Sequence, residues 1–282
     1  MIRSWLHLCR ISNLPTVWSN VLAGWLLAGG AWDSGLGWVM LCGSLMYCGG
    51  MVLNDVCDAA FDRQHQPHRP IAAGRVSWAG ACLGALLMLA MGLGLGLSSG
   101  AQPPLLLGLA VAIVAYDLYH KPWAGSVLVM GLCRSLLMLV AASAAGPWQQ
   151  LWPQAAALGC YVVGITLVAR LEQPGQGSKL TWAHPAYLVL MAPAMLSLVH
   201  VAIHRQWLSA VICQTAFLTS TTLALGLMRR GGPSVGAAVG LLLAAMPLVD
   251  ALALQPRHPW LALSLLPLPI ALRLWQRWVA AT

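Results

Sequence analysis

The sequence predicts an all-α protein, a polytopic bundle of nine to ten transmembrane helices that forms one integral-membrane domain over residues 1–282. Three observations predict this class. Hydrophobic residues make up 59% of the chain and charged residues 8%, whereas soluble domains carry about 25% charged residues. The mean hydropathy is +0.75. Apolar runs of about 17–25 residues, the length that crosses a bilayer, recur along the chain.

The predicted spans follow the chain from the first apolar run to the last. The first run comes after Arg3 and Arg10, as in a signal peptide, but it is longer and precedes further spans, so we expect it to be retained. Prolines and glycines within the runs are compatible with membrane helices, because neighbouring helices and water satisfy the freed backbone groups. The ten predicted spans are Leu14–Trp32, Leu36–Leu53, Trp78–Leu97, Pro104–Tyr116 (the shortest), Ala124–Ala145, Leu151–Ala169, Pro185–Ile203, Trp207–Met228, Val235–Leu254 and Trp260–Val279.

The formal net charge of +8 comes from basic residues that fall on one side of these spans. The opposite side has only Arg205 and Arg257, and Arg134 lies inside a span. Cytoplasmic loops carry an excess of Lys and Arg, so both termini and the polar loops after spans two and six should be cytoplasmic. The cations therefore indicate topology and contact with membrane lipid rather than with nucleic acid. The basic side has Arg3, Arg10, Arg63, Arg69, Arg75, Lys121, Arg170, Lys179, Arg229, Arg230, Arg273 and Arg277.

Three of the seven acidic residues lie within eight positions at the end of the second predicted span. Asn54, Asp55, Asp58 and Asp62 share one face if the helix continues, since residues three and four apart are neighbours on a helix. A solvated polar helix end would explain them, but charges beside a membrane are costly and usually functional. Like charges so placed repel, and divalent cations would offset the repulsion.

Magnesium fits these carboxylates because it takes oxygen ligands and often joins one or two carboxylates to substrate phosphates. Arg63, Arg69 and Lys121 follow closely in the sequence and could hold the same phosphates, arginine in a bidentate manner and lysine as a point charge. The ligand that fits such a site, at the end of an apolar cavity, has a charged diphosphate head and a long hydrocarbon tail. An isoprenyl diphosphate has both. The predicted substrate class is therefore an isoprenyl diphosphate with Mg²⁺.

These residues resemble the first signature of the UbiA-type intramembrane prenyltransferases. The matching pattern is Asn54-Asp55-x-x-Asp58-x-x-x-Asp62 followed by Arg69-Pro70-Ile71-x-x-Gly74. The segment from Tyr116 to Lys121 is similar to the Y-x-x-x-x-K of the next cytoplasmic loop. The opening Arg10-Ile-Ser-Asn13-Leu-Pro15 resembles the entry to the first helix of the family. The D-G-x-x-A-R signature of CDP-alcohol phosphotransferases is absent.

The resemblance implies a nine-helix bundle around a central cavity that opens laterally to lipid, so a tenth span departs from the family. It also implies two magnesium ions that hold the diphosphate, and a hydrophobic or aromatic acceptor that captures the allylic cation. For this sequence, the resemblance implies that the catalytic and metal-binding carboxylates are Asp55, Asp58 and Asp62. The diphosphate-binding residues are Asn13, Asn54, Arg63, Arg69, Tyr116 and Lys121.

The loop after the sixth span departs from the family pattern, which places a second acidic motif there. Glu172 is the only acid in this loop, between Arg170 and Lys179. Either Glu172 together with Asp117 completes the metal site, or one metal suffices, or catalysis has been lost. We expect Glu172 to be a metal ligand, with a salt bridge to its basic neighbours as the alternative. A non-catalytic protein that binds or moves a lipid-like or aromatic precursor is the alternative function.

Two further charges, Arg134 and Asp250, fall inside predicted spans. They would be costly against lipid, so we expect them to face the bundle interior, either paired with each other or acting on the acceptor. With the reduced second motif, this arginine and the late P-L-x-D-A sequence resemble the branch of the family found in bacterial Ebo operons. The expected location is the bacterial inner membrane.

Overall fold

The computed structural model describes residues 2–119, 123–170, 185–204, 207–230 and 234–278. Within these ranges the secondary structure is helical, with no β-strand, which confirms the all-α prediction. Short 3₁₀ turns at Ile11–Asn13 and Gln149–Leu151 precede two of the α-helices. The α-helices of the first half are α1 (Ile2–Leu8), α2 (Leu14–Leu27), α3 (Ser34–His65), α4 (Trp78–Ser98), α5 (Pro103–Tyr119), α6 (Ser126–Ala145) and α7 (Trp152–Arg170).

Most helices in the second half of the described chain are short. The helices of this half are α8 (Pro185–Leu190), α9 (Ala192–His204), α10 (Trp207–Arg229), α11 (Ser234–Ala244), α12 (Met246–Leu254), α13 (Pro259–Ser264) and α14 (Leu268–Trp275). Taking broken helices together, the described chain has seven segments long and apolar enough to cross a membrane. Two shorter apolar segments, Pro103–Tyr119 and Pro259–Trp275, bring the total near the predicted nine to ten without fixing the number.

Three of the predicted continuous spans are broken near prolines. Pro193, Pro247 and Pro269 each occupy the second position of a new helix, in α9, α12 and α14. Proline lacks a backbone N–H and its ring clashes with the preceding turn, so it suits the first turn of a helix and interrupts a longer one. The periodic apolar pattern runs across these breaks, which is why it predicts single spans.

The N-terminal and C-terminal halves meet in the bundle core. Helix α6 packs against α2, α5 and α7, while α12 packs against α2. Helices α6 and α7 come close because Gly131 and Gly159 face each other: a Cβ at Gly131 would lie 2.6 Å from the carbonyl oxygen of Gly159. Small residues at such contacts are typical of helix packing in membranes.

Helix α3 carries the candidate functional residues beyond the apolar part of the bundle. Asp33 caps its start by accepting a hydrogen bond from the Gly35 amide at 2.8 Å. The 32 residues of α3 span about 48 Å at 1.5 Å per residue, and the hydrocarbon core of a bilayer is about 30 Å thick. The last turns of α3 therefore project past the apolar layer, at the end of the bundle where α5 and α7 also end.

Candidate functional site

The last turns of α3 place an amide and three carboxylates on one face. Asn54, Asp55, Asp58 and Asp62 follow one another at spacings of one, three and four residues, which stacks them along the helix. Their exposed fractions are 8%, 6%, 8% and 3%. Buried carboxylates are unfavourable unless they are paired or bind a cation. The surroundings of this face must therefore supply positive charge.

Arg69 supplies part of that charge by bridging two of the carboxylates. Its Nη1 lies 3.3 Å from Asp55 Oδ1 and 3.1 Å from Asp62 Oδ2. Its Nε donates a hydrogen bond to Gln66 Oε1 at 2.9 Å, which holds the plane of the guanidinium. Arg69 thus lies across two turns of α3, with its side chain 20% exposed.

The loop after α3 positions Arg69 through the residues that follow it. Ile71 is 5% exposed and packs with Val52 and Val56 of α3, so it anchors the loop to the helix. Gly74 has a φ of +70°, a left-handed conformation that glycine adopts without a Cβ clash. The Arg75 amide then donates to the Pro70 carbonyl at 2.9 Å and closes the turn. The R-P-I-x-x-G motif therefore folds the loop back along α3, so that the Arg69 side chain reaches the carboxylates.

A second cation, Arg10, reaches the site from the N-terminal segment. Its Nη2 lies 3.5 Å from Asp55 Oδ1, and its carbonyl oxygen accepts a hydrogen bond from the Tyr47 hydroxyl at 3.5 Å. Arg10 has φ 43° and ψ 51°, a left-handed conformation that costs about 1–3 kcal/mol in a residue other than glycine and that clusters at functional sites. The sequence analysis included Arg10 in the opening motif and among the basic residues, but it did not predict the contact with Asp55. The two residues are 45 positions apart, and no helical periodicity links them.

Helix α5 adds a fourth buried carboxylate, Asp117, which is 4% exposed. Asn54 Nδ2 donates to Asp117 Oδ1 at 3.2 Å, so the first asparagine of the motif joins α3 to α5. Tyr116, the preceding residue, is half-buried and interacts electrostatically with Arg10 and Asp58. The structure thus brings Asp117 and Tyr116 to the same end of the bundle as the motif.

The remaining predicted residues differ in where they lie. Asn13 is buried and its side chain hydrogen-bonds the Tyr47 side chain, below the carboxylates. Arg63 is exposed, whereas Arg10 and Arg69 make the ion pairs to Asp55 and Asp62. Lys121 and Glu172 lie outside the described residues.

The α3 carboxylates do not form a ready-made metal cage. Within the described ranges, no three His, Cys, Asp or Glu side chains are close enough together to hold a metal ion. The position between Asp55 and Asp62 is taken by Arg69, whose Nη1 contacts both carboxylates. Magnesium is usually bound by one or two carboxylates together with water and substrate phosphates. The donor set fits a magnesium site that a diphosphate completes.

The charges predicted inside the spans lie deeper in the bundle. Arg134 is 9% exposed and Asp250 1%, so both face the interior as expected. They are joined through Asn20, which donates to Asp250 and accepts from Arg134. Of the two alternatives, the structure shows a pairing, and it runs through an asparagine of α2. Asn20 lies in the first predicted span, and nothing in its local sequence indicated this position.

The UbiA prenyltransferase family model matches residues 16–280. Two curated relatives are similar over part of the chain. Digeranylgeranylglyceryl phosphate synthase of Methanopyrus kandleri is 31% identical over 158 residues, 54% of this chain and 57% of the relative. The 4-hydroxybenzoate octaprenyltransferase of Cupriavidus necator is 34% identical over 83 residues, 28% of this chain and 29% of the relative. Even the longer of these two matches thus spans only a little over half of the relative.

Solved structures are similar over nearly the whole fold. A structure described as Digeranylgeranylglyceryl phosphate synthase in membranes has a TM-score of 0.66 at 16% identity, covering 92% of this chain and 99% of its own. A UbiA homologue from Archaeoglobus fulgidus, bound to GPP and Mg²⁺, has a TM-score of 0.63 at 15% identity, covering 93% of this chain and 99% of its own. At these identities the likeness shows a shared fold.

Proposed function

The chain belongs to the UbiA prenyltransferase family, and on this basis we propose that it is a prenyltransferase. It transfers the prenyl group of an isoprenyl diphosphate to a hydrophobic or aromatic acceptor within the membrane, in a magnesium-dependent reaction. The observation that carries the proposal is the buried carboxylate face of α3, bridged by Arg69 between Asp55 and Asp62. A family member with a TM-score of 0.63 holds GPP and Mg²⁺, which supports the same ligand class here.

Magnesium would be held by Asp55, Asp58 and Asp62, with Glu172 as the proposed contribution of the second loop. These side chains are hard oxygen donors of the kind that magnesium prefers. When bound, magnesium stabilises the negative charge that develops on the leaving diphosphate oxygens. Asn54 orients Asp117 beside the same face, which adds one more carboxylate to the motif end of the bundle.

Arg10 and Arg69 have a second task in this proposal. Each contacts a carboxylate in the structure, and each is partly exposed, at 21% and 20% of its side chain. A bound diphosphate offers oxygens that match a guanidinium in bidentate geometry. We expect both arginines to bind diphosphate oxygens and so to free the carboxylates for metal. Arg63, Lys121, Tyr116 and Asn13 remain proposed diphosphate-binding residues.

The chemical step breaks the C–O bond between the allylic carbon and the diphosphate, and the electron pair leaves with the diphosphate. The acceptor supplies the pair for the new bond and then loses a proton. Apolar walls keep water away from the allylic cation, because water would otherwise capture it. The buried apolar residues of α2, α3 and α6 provide such walls below the carboxylates.

We further propose the location and orientation of the protein. The apolar helices and the family make it an integral membrane protein. The proposed membrane is the bacterial inner membrane, with both termini and the motif loops on the cytoplasmic side. The one-sided distribution of cations supports this orientation. Assignment to the Ebo-operon branch stays a prediction that rests on Arg134, Asp250 and the reduced second motif.

Purified protein incubated with Mg²⁺ and labelled prenyl diphosphates of several chain lengths tests the proposal. Diphosphate release that requires Mg²⁺ and is lost in Asp58→Asn would support an enzyme. Binding of the prenyl diphosphate without release, in the presence of membrane lipid and candidate acceptors, would favour the alternative, a protein that binds or moves a lipid-like or aromatic precursor.

A further inference from the structure

A groove runs between the last helix, α14, and helices α10 and α11. Its volume is about 460 Å³, within the range of about 300–1,000 Å³ that is typical of ligand sites. Five of the nine residues that line it are apolar, and none of the nine belongs to α3. The polar residues of this C-terminal groove are Ser220, Arg273, Gln276 and Arg277. The groove is therefore an apolar channel with two cations in its wall, separate from the carboxylate site.

The C-terminal groove opens toward lipid at the motif end of the bundle. Leu223 of α10 and Ile270 of α14 are exposed apolar residues of its lining, and they would contact lipid tails in a membrane. Helix α14 contacts the 3₁₀ turn Ile11–Asn13, which follows Arg10 of the carboxylate site. Exposed tryptophans at 275 and 278 flank the end of α14, and tryptophan is enriched at the membrane–water interface. The two arginines therefore lie at the level of the lipid headgroups.

Arg273 is held in the wall of the C-terminal groove by two contacts. Its Nη1 donates a hydrogen bond to Gln276 Oε1 at 2.7 Å. The same nitrogen packs against Gly240 of α11, where an added Cβ would collide with it. Any larger residue at position 240 would push the guanidinium aside. The absence of a side chain at Gly240 therefore allows one of the two cations to be positioned before a ligand arrives.

The positive charge of the C-terminal groove is not balanced by a carboxylate. Arg277 lies close enough to Arg273 to repel it electrostatically, and within the described part of the chain neither arginine forms an ion pair. Gln276 uses its oxygen to accept from Arg273, and its Nε2 is a buried donor with no acceptor in the described ranges. Charges beside a membrane are costly, and so are buried donors without acceptors. The groove therefore favours an anion that brings oxygen acceptors.

A phospholipid with a net negative charge matches both parts of the C-terminal groove. Its phosphate can accept two parallel N–H bonds from a guanidinium, and its acyl chain can cover the apolar lining. Basic pockets between membrane helices are typical sites for anionic headgroups. A zwitterionic lipid carries a cation next to its phosphate, and two arginines would repel that cation. A soluble phosphate has no tail, so it would leave the apolar lining uncovered.

We propose that the C-terminal groove binds one anionic phospholipid from the leaflet on the motif side of the membrane. The phosphate lies between Arg273 and Arg277, and one acyl chain lies along α10 and α11. The bound lipid fills the space beside α14 and so holds the last helix against the bundle. This lipid is neither donor nor acceptor of the prenyl group, so the inference stands independently of the proposed function.

Native mass spectrometry of delipidated protein in a non-ionic detergent tests the proposal. The probes are dioleoyl phosphatidylglycerol, which is anionic, and dioleoyl phosphatidylcholine, which is zwitterionic. EDTA is present throughout, so that magnesium-dependent binding at α3 does not contribute. The variants are Arg273→Gln, Arg277→Gln and Gly240→Ala. The matched controls are Arg3→Gln, which removes an exposed cation elsewhere, and Gly226→Ala, whose added Cβ meets no atom within 4 Å.

We expect the wild type to retain one phosphatidylglycerol in preference to phosphatidylcholine. Each arginine variant should lower this preference roughly fivefold, the effect of one basic residue near an anionic membrane surface. Gly240→Ala should lower it as well, although it leaves the charge unchanged, because the new Cβ displaces the Arg273 guanidinium. Arg3→Gln and Gly226→Ala should retain the preference of the wild type.

Equal retention of the two lipids by the wild type would overturn the inference. So would a preference that survives both arginine variants, or one that Arg3→Gln lowers equally, since either result indicates attraction of lipid without a specific site. Displacement of the lipid by glycerol 3-phosphate would indicate a site for soluble phosphate, and displacement by geranyl diphosphate would indicate a substrate site. Each of these would contradict the lipid assignment. Should Arg273→Gln fail to fold, the exposed Arg277 carries the test through its own variant.

Discussion

The guanidinium of Arg69 should compete with magnesium for the α3 carboxylates, and Arg69→Gln exposes that competition. Its two ion pairs, at 3.3 and 3.1 Å, join carboxylates whose side chains are only 7% and 4% exposed. Removing one partner of a buried pair costs about 3–5 kcal/mol. Because the Arg69 side chain is itself 20% exposed, we take about 3 kcal/mol, the lower end of that range, as the expected loss of unfolding free energy without metal.

Magnesium should reverse much of this loss. In the variant Asp62 has lost its cation and Asp55 keeps only Arg10, so a divalent ion binds the two carboxylates with less competition. A ligand that binds only the folded state stabilises it in proportion to the logarithm of its concentration over its dissociation constant. The thermal midpoint of Arg69→Gln should therefore rise more with added Mg²⁺ than that of the wild type. Its affinity for geranyl diphosphate should nevertheless fall, because one phosphate-binding guanidinium is gone.

Thermal unfolding of purified protein in detergent, with EDTA and across a Mg²⁺ titration, measures both effects. Arg63→Gln is the matched control, since Arg63 lies beside Asp62 in sequence, is exposed, and belongs to none of the described ion pairs. Its thermal midpoint in EDTA and its response to Mg²⁺ should resemble those of the wild type. Equal midpoints for Arg69→Gln and Arg63→Gln in EDTA, or an unchanged magnesium response, would refute the competition.

Further predictions concern the metal and the orientation. Replacing any one of the three α3 aspartates by asparagine should abolish magnesium-dependent binding of a prenyl diphosphate while leaving the protein folded in Mg²⁺-free buffer, whereas Asp33→Asn, a change at the other end of α3 that keeps a good helix cap, should leave binding intact. Glu172→Gln should raise the Mg²⁺ concentration for half-maximal binding if Glu172 is a ligand, and an unchanged titration would make it a surface ion pair. Periplasmic thiol labelling at Ser178→Cys should not exceed that of the unmodified protein, and efficient labelling would overturn the topology.

Local patterns predicted the parts of the site that lie on one helix and its loop. The i, i+3, i+4 spacing of the α3 aspartates is a property of a single helix, so it could be read before any packing was known. The R-P-I-x-x-G sequence likewise acts locally, through the anchor at Ile71 and the turn at Gly74. The all-helical class followed from composition, because few other chains are so apolar.

Contacts between distant segments could not be predicted in the same way. Arg10 meets Asp55 across 45 positions, and Asn20 meets Asp250 across 230. Such pairs depend on which helices become neighbours, and one sequence carries no signal for that choice. The burial of Arg134 and Asp250 was predictable from the cost of charge in lipid. The asparagine between them was not.

The breaks in the later spans show a limit of hydropathy. Mean hydropathy and length treat Pro185–Ile203 and Val235–Leu254 as single spans, and both are long enough to cross a bilayer. The structure interrupts each one close to a proline, because the missing N–H and the ring disturb the backbone locally. A helix break that lies between apolar residues changes the mean hydropathy very little. The hydropathy pattern therefore does not reveal it.

The central claim is that magnesium brings a prenyl diphosphate to the α3 carboxylates. Calorimetric titration of geranyl diphosphate into purified protein, once in Mg²⁺ and once in EDTA, tests it most directly. The account predicts saturable binding in Mg²⁺ that is lost in EDTA, and lost in both buffers for Asp58→Asn. Equal affinity in the two buffers, or full magnesium-dependent affinity in Asp58→Asn, would contradict it.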